Sequence, residues 1–241
     1  MTDIFDVPQV KWSDSHGAVG GHQGVGALYF SLPYMLKAKR CVVVGSGAGF
    51  VPMMVLAAQR RLVREGLIEK VDVTLVDAHI GIWGLPVYEA AAEIDPELKL
   101  VRQLSSEAAA QFSGIDYLHL DADHSYAGTM ADLKAYLPRM ARPRWAVTVH
   151  DTYNPVAVAE GLPVGAWPAA EAFARKNRLA IVNFEIGCGT ALIMPRATRL
   201  RPPRRTPVRD WMAGSSQWTT GKARGALRRA RRLASRVLTP T

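Results

Sequence analysis

Two short segments constrain this chain more than any other feature. Asp116-Tyr-Leu-His-Leu-Asp121-Ala-Asp123-His124-Ser-Tyr126 runs from apolar residues into acids and a histidine, and Val147-Thr-Val-His150-Asp151-Thr152 does the same some thirty residues later. Each reads as a buried strand with a polar C-terminal end. If the two strands end side by side, Asp121, His124, His150 and Asp151 meet at one edge of a sheet. Carboxylates and imidazoles converging there suit a divalent cation with a proton acceptor beside it. A Gly-rich turn, Val44-Gly45-Ser46-Gly47-Ala48-Gly49, closes an earlier run of the same kind. Open α/β sheets carry their ligands at strand ends. A nucleotide-like cofactor and a metal are therefore expected on the same rim.

The rest of the pattern agrees. Apolar runs predict strands over 40–45, 71–77, 98–102, 117–121 and 145–150, with a closing pair over 179–186 and 190–194 joined by Gly187-Cys188-Gly189, a hairpin signal. Helices are predicted over 27–38, 50–65, 85–94, 105–112, 126–140 and 166–176. The second carries Val51, Met54, Val55, Leu62 and Val63 at helical spacing, and Ser105 or Ser106 is placed to cap the fourth. Strand–helix alternation repeated five times predicts an α/β fold with a doubly wound, mostly parallel seven-stranded sheet. The hairpin is expected to add an antiparallel strand as its edge.

Three regions are expected: a Gly-dense N-terminal cap segment over 1–39, a main domain over 40–195, and an extension over 196–241. The net charge of +9 is unevenly spread. Thirteen of the thirty Lys and Arg, but only one of the twenty-one acids, fall in 196–241, so this tail carries +12 and the remainder −3. Residues 222–238 read as a basic amphipathic helix. At 49% apolar residues the chain can bury a sizeable core, yet no apolar run approaches the ~20 residues of a membrane span. The N-terminal MTDIFDVPQVKW lacks the features of a secretory signal. Two cysteines, Cys41 and Cys188, predict no disulfide framework and a cytoplasmic setting.

Backbone N–H groups of a Gly-rich strand-to-helix turn approach a ligand closely because no Cβ intervenes. The glycines at 45, 47 and 49 miss the Gly-x-Gly-x-x-Gly dinucleotide spacing, where Phe50 would stand, and follow Gly-x-Gly-x-Gly. Asp77, ending the second strand, is placed to accept from ribose hydroxyls. Fold pattern and glycine spacing resemble the class I S-adenosylmethionine-dependent methyltransferases. The resemblance implies S-adenosylmethionine as cofactor, held by Gly45, Ser46, Gly47, Gly49, Asp77, Ala78 and Ser105. Val43 stands where such enzymes often carry an acid, so the cofactor's ammonium is expected to turn to Gln23.

Asp121-Ala-Asp123-His124, answered by His150-Asp151-Thr152-Tyr153, further resembles the metal-dependent O-methyltransferases. The nearest branch is the bacterial one that methylates sugars of macrolides and, in mycobacteria, of methylated polysaccharides. The resemblance spans roughly 20–195. It implies Mg²⁺, or Mn²⁺ if an imidazole takes part, held by Asp121 and by His150-Asp151 or Asp151-Thr152. His124 would be the base that accepts the hydroxyl's proton, with a pKa at or below the ~6.5 reference because a cation lies beside it. Each residue also has a plainer reading. His124 and Asp123 fit a helix N-terminus, His150 a satisfied strand-end histidine, and Trp167 the core. Tyr153, Asn154, Glu160 and Trp167 fall where the acceptor would lie.

The function expected is therefore metal-dependent methylation of a carbohydrate hydroxyl, on a small molecule, an oligosaccharide or a polysaccharide such as a mannoside. The working form would be a homodimer, and the basic tail is compatible with peripheral membrane contact. The rival is an RNA-binding methyltransferase that uses the tail on phosphates. It is disfavoured, because the Asn/Asp-Pro-Pro-aromatic tetrad of base methylation is missing after the fourth strand.

Overall fold

The computed structural model describes residues 13–18, 22–45, 49–78, 95–153 and 164–196. The predicted helices over 85–94 and 222–238, and the whole basic tail, lie outside the described residues. Seven strands form one sheet: β1 (Cys41–Val44), β2 (Val73–Val76), β3 (Leu98–Val101), β4 (Tyr117–Leu120), β5 (Ala146–His150), β6 (Ala180–Phe184) and β7 (Thr190–Met194). Among the described residues the helices are α1 (Gly26–Leu36), α2 (Phe50–Arg64), α3 (Ser105–Ala108), α4 (Tyr126–Tyr136) and α5 (Ala166–Lys176). None of the described helices is long and apolar enough to cross a membrane.

The strand order is β3-β2-β1-β4-β5-β7-β6. The first five strands are mutually parallel, and β7 runs antiparallel to both β5 and β6. One expectation is corrected here. The antiparallel strand is not the edge: β7 inserts between β5 and β6, and β6 takes the border. Burial follows the order. β7 (TALIM) is buried at four of its five positions, whereas β6 (AIVNF) is only partly buried and exposes Val182.

β1 (CVVV) has no ladder-breaking residue and is buried at all four positions. Side chains alternate between faces of a strand. Cys41 and Val43 accordingly enter a core with Tyr29 and Phe30 of α1 and Met54 and Val55 of α2. Val42 and Val44 enter a second core with Leu133 and Tyr136 of α4 and Ala170 and Phe173 of α5. Helices on both faces explain why the parallel strands read as unbroken apolar runs.

Two helix ends differ from the sequence reading. The α4 segment tightens after Tyr136 into a 3-10 turn, Leu137–Arg139, because Pro138 offers no N–H to continue the α-helical ladder. Neither Ser105 nor Ser106 caps α3. Leu104 occupies the cap position with no side-chain bond, and the Ser105 hydroxyl donates instead to Asp132 on α4. A serine cap does appear on α4, where Ser125 Oγ accepts from Gly128 N at 3.0 Å.

Candidate active site

Register builds the site. Val76 pairs with Val44, Val44 with Leu120, and Leu120 with Val149. The next residue on each strand therefore falls in one row along the C-terminal rim: Asp77, Gly45, Asp121, His150. The row is tied together by Gly45 N donating to Val76 O at 2.8 Å and Asp121 N donating to Val44 O at 2.8 Å. It spans β1 and β4, where the strand order turns back on itself, the place where open α/β sheets bind ligands.

Gly45 has φ +66°, and a Cβ there would stand 2.4 Å from Asp121 O. Only glycine allows the two strand ends to approach this closely. Gly49 (φ 88°) leads into α2, while Ser46, Gly47, Asn154 and Glu160 lie outside the described residues. Asp77 and Ala78 stand half-buried at the rim beside Gly45. Gln23 keeps its Oε1 buried with no partner among the described residues. Ser105 is committed to Asp132.

Around Asp121 the chain gathers four imidazoles and a second acid. His150 Nδ1 lies 2.9 Å from Asp121 Oδ1 and 3.3 Å from Asp151 Oδ1. His124 Nε2 lies 3.2 Å from Asp121 Oδ1, and its Nδ1 lies 2.7 Å from Asp151 Oδ2. His119 Nδ1 meets Thr148 Oγ1 at 2.9 Å, which in turn meets the Tyr117 hydroxyl at 2.7 Å. His119 Nε2 is 3.8 Å from Asp121 Oδ2, too far for a hydrogen bond. His16 stacks on His150 with ring centroids 4.1 Å apart. Asp151 holds φ +53°, a left-handed backbone that a non-glycine residue rarely adopts.

Charge and burial set the protonation states. Burial opposes ionisation of Asp121, but His150, His119 and His124 outweigh it and hold the acid well below the usual carboxylate range. Burial also opposes charge on His150, and Asp121 above all outweighs it and raises the imidazole. His16, buried and beside His150, is pushed well below its ordinary value. Burial lowers His119 as well. His124 moves upward. Burial opposes its charge, yet contacts with Asp121 and Asp151 dominate and push it up to about 11. The expectation of 6.5 or below assumed a cation beside the ring, whereas the carboxylates alone act in the opposite sense.

Other predicted residues have plainer placements. Asp123 Oδ1 accepts from Ser125 N at 2.9 Å and sits over the start of α4, the helix N-terminal role. Thr152 is buried and its hydroxyl donates to Asn183 Oδ1 at 2.7 Å. Trp167 lies half-buried against the second core, and Tyr153 stands exposed just past the rim. Sequence reasoning missed two residues of the cluster. His119 was legible, since it lies two positions before Asp121 and so faces the same side of β4. His16 carries no periodicity and comes from a 3-10 turn, Ser13–His16, far away in the sequence.

The donor set suits a cation. His16, Asp121 and His150 each present a ligand atom within 4.8 Å of the others, and the buried His150 Nε2 has no partner among the described residues. An unpaired buried nitrogen beside a carboxylate is the environment a metal would complete. The rim also suits a nucleoside cofactor, with close backbone at Gly45, an acid at Asp77 and the orphaned amide oxygen of Gln23.

Residues 42–152 match a family model described as a methyltransferase domain. The matched stretch holds Gly45, Asp77, Asp121, His124, His150 and Asp151, whereas His16 and Gln23 precede it. The chain is 27% identical over 157 residues to an uncharacterized protein of Sinorhizobium fredii. That alignment covers 62% of this chain but only 17% of the relative, so the chain spans about a sixth of its length.

Among solved structures, the O-methyltransferase TomG of Streptomyces achromogenes, involved in tomaymycin synthesis and determined in complex with SAM, superposes with TM-score 0.54 at 14% identity, over 80% of this chain and 93% of that one. A Bacillus cereus O-methyltransferase in complex with SAH gives 0.53 at 14%, over 70% and 78%. A Geobacter sulfurreducens methyltransferase gives 0.53 at 17%, over 71% and 78%. The described residues therefore share the Rossmann-like architecture of these proteins.

Proposed function

We propose that this methyltransferase domain transfers the methyl group of S-adenosylmethionine to a carbohydrate hydroxyl with the help of a divalent cation. The observation that carries the reading is the rim row Asp77, Gly45, Asp121, His150, which sets a cofactor acid two strands away from a carboxylate–imidazole cluster. The SAM and SAH complexes of similarly folded proteins support the choice of cofactor. When bound, the cofactor supplies an electrophilic methyl group on a sulfonium, and the cation supplies a Lewis acid for the acceptor oxygen.

The chain's own residues do the rest. Asp77 accepts from the ribose hydroxyls, the backbone around Gly45 and Gly49 makes room for the cofactor, and Gln23 offers its orphaned oxygen to the ammonium. Asp121, Asp151 and His150 hold the cation, Mg²⁺ or Mn²⁺. Asp151, 2.7 Å from Nδ1, orients the His124 ring and keeps a proton on that nitrogen, which leaves Nε2 to receive the hydroxyl's proton. Once the charge of Asp121 is taken up, the contact that keeps Nε2 protonated is weakened. Tyr153, exposed at 42%, offers a ring face to a sugar, with Asn154 and Trp167 nearby in the sequence.

Two free cysteines, one of them buried, fit a cytoplasmic enzyme, and a dimer is its proposed working form. The test is transfer of labelled methyl from S-adenosylmethionine to a panel of mono- and oligosaccharides, with and without EDTA. Sugar labelling that chelation abolishes and Mg²⁺ restores is expected. Labelling of RNA in place of sugars would shift the reading to the tail, and labelling that survives exhaustive chelation would remove the cation.

A further inference from the structure

We propose that His16 is a ligand of the same cation, so that two imidazoles beside the carboxylates favour a first-row transition ion such as Co²⁺ or Zn²⁺ over Mg²⁺. The proposal rests on the cation reading above and changes its ligand set and its metal. Oxygen-only sites suit Mg²⁺, and imidazole shifts preference toward the later divalent metals.

Three observations carry it. First, one ligand atom each from His16, Asp121 and His150 lies within 4.8 Å of the others. Two ligands on opposite sides of one ion would span roughly 4 Å, so the cluster needs only slight contraction. Second, His150 presents Nδ1 to Asp121 at 2.9 Å, and its buried Nε2 has no partner among the described residues. His16 Nδ1 lies 3.2 Å from the Tyr29 hydroxyl, which meets Thr190 Oγ1 at 2.8 Å. Metal-binding histidines are commonly oriented in this way, through the nitrogen that does not bind.

Third, the backbone of His16 is clamped in place from both sides. Cys188 N donates to Ser15 O at 2.8 Å, and Val25 N donates to His16 O at 2.9 Å. A Cβ at Gly187 would lie 2.3 Å from Ser15 O, and one at Gly24 would lie 2.2 Å from His16 O. The β6–β7 turn and the segment entering α1 thus hold the Ser13–His16 turn against the rim. A cation bound there would join the N-terminal segment to β4 and β5.

The test uses the full chain freed of metal by chelation. Calorimetry measures Co²⁺ and Mg²⁺ affinity, and ¹⁵N NMR follows the histidine rings during Zn²⁺ addition. Co²⁺ is expected to bind more tightly than Mg²⁺, with the ring nitrogens of both His16 and His150 shifting. His16→Gln should lower Co²⁺ affinity by at least the roughly tenfold typical of losing even an outer partner of a metal ligand, with Mg²⁺ affinity unchanged. The NMR arm uses the wild-type chain and needs no folded variant. If Co²⁺ binds and shifts His150 while His16 stays unmoved, or if His16→Gln leaves Co²⁺ affinity intact, His16 is a packing residue and the proposal is wrong. If neither ion binds, the cation reading itself fails and takes this proposal with it.

Discussion

Asp132 tests whether burial governs charge in this domain. Its carboxyl, 6% exposed on α4, accepts from the Ser105 hydroxyl at the start of α3. Burial pushes its pKa up to about 6 from the ordinary 3.8, the Ser105 bond pulls the other way, and nearby Asp123 adds repulsion. The sign follows directly. Between those two values the folded chain binds a proton that the unfolded chain has released, so stability falls as pH rises through that window. The gap between about 6 and 3.8 corresponds to about 3 kcal/mol lost by pH 7.5. Asp132→Asn never ionises, and its amide oxygen can still accept from Ser105. The variant should gain roughly 2–3 kcal/mol over wild type at pH 7.5 and nothing below pH 4. Urea unfolding at the two pH values measures the difference. A gain that is the same at both, or absent at pH 7.5, would refute the reasoning.

Asp77→Ala should weaken S-adenosylhomocysteine roughly ten- to hundredfold, because a charge-assisted hydrogen bond contributes about 1.5–3 kcal/mol; equal affinity would remove Asp77 from the cofactor site. Gln59 is fully buried, donates to Ala38 O at 3.0 Å and accepts from Asp72 N at 2.6 Å. Gln59→Leu should therefore cost roughly 2–5 kcal/mol in chemical unfolding by leaving two backbone groups unpaired, and a loss under about 1 kcal/mol would show that water satisfies them. In the metal-free protein His124 should titrate far above the ordinary 6.5 and so stay charged at neutral pH. Its contribution to stability is present below 6.5 and declines as pH rises toward about 11. Loading the cation should release a proton, measurable by calorimetry in two buffers of different ionisation enthalpy; a His124 NMR midpoint near 6.5 without metal would contradict this.

Much of this was legible in the sequence because period and punctuation agree. β1 shows its four apolar residues in a row, and α5 runs over the predicted 166–176 because both its apolar spacing and its flanking loops are clear. Asp121, His124, His150 and Asp151 were found because strand ends are readable and the parallel register of β4 and β5 makes them neighbours. The position of β7 was not legible. A hairpin signal says that two strands pair, but not which of them meets β5; relative burial decides that, and it is a property of the sheet. His16 was not legible either. Its placement depends on contacts with Gly187 and Gly24, more than a hundred residues apart in the chain, and no local pattern encodes that meeting. The pull of two carboxylates on His124 was not legible, because those contacts exist only in the folded geometry.

The most direct test of the account is calorimetric titration of S-adenosylhomocysteine into the full chain, with and without EDTA. The account predicts one site per chain with micromolar affinity, about −8 kcal/mol, retained in EDTA because Asp77 and the backbone at Gly45 are not cation ligands. The absence of any binding heat at millimolar ligand would contradict it.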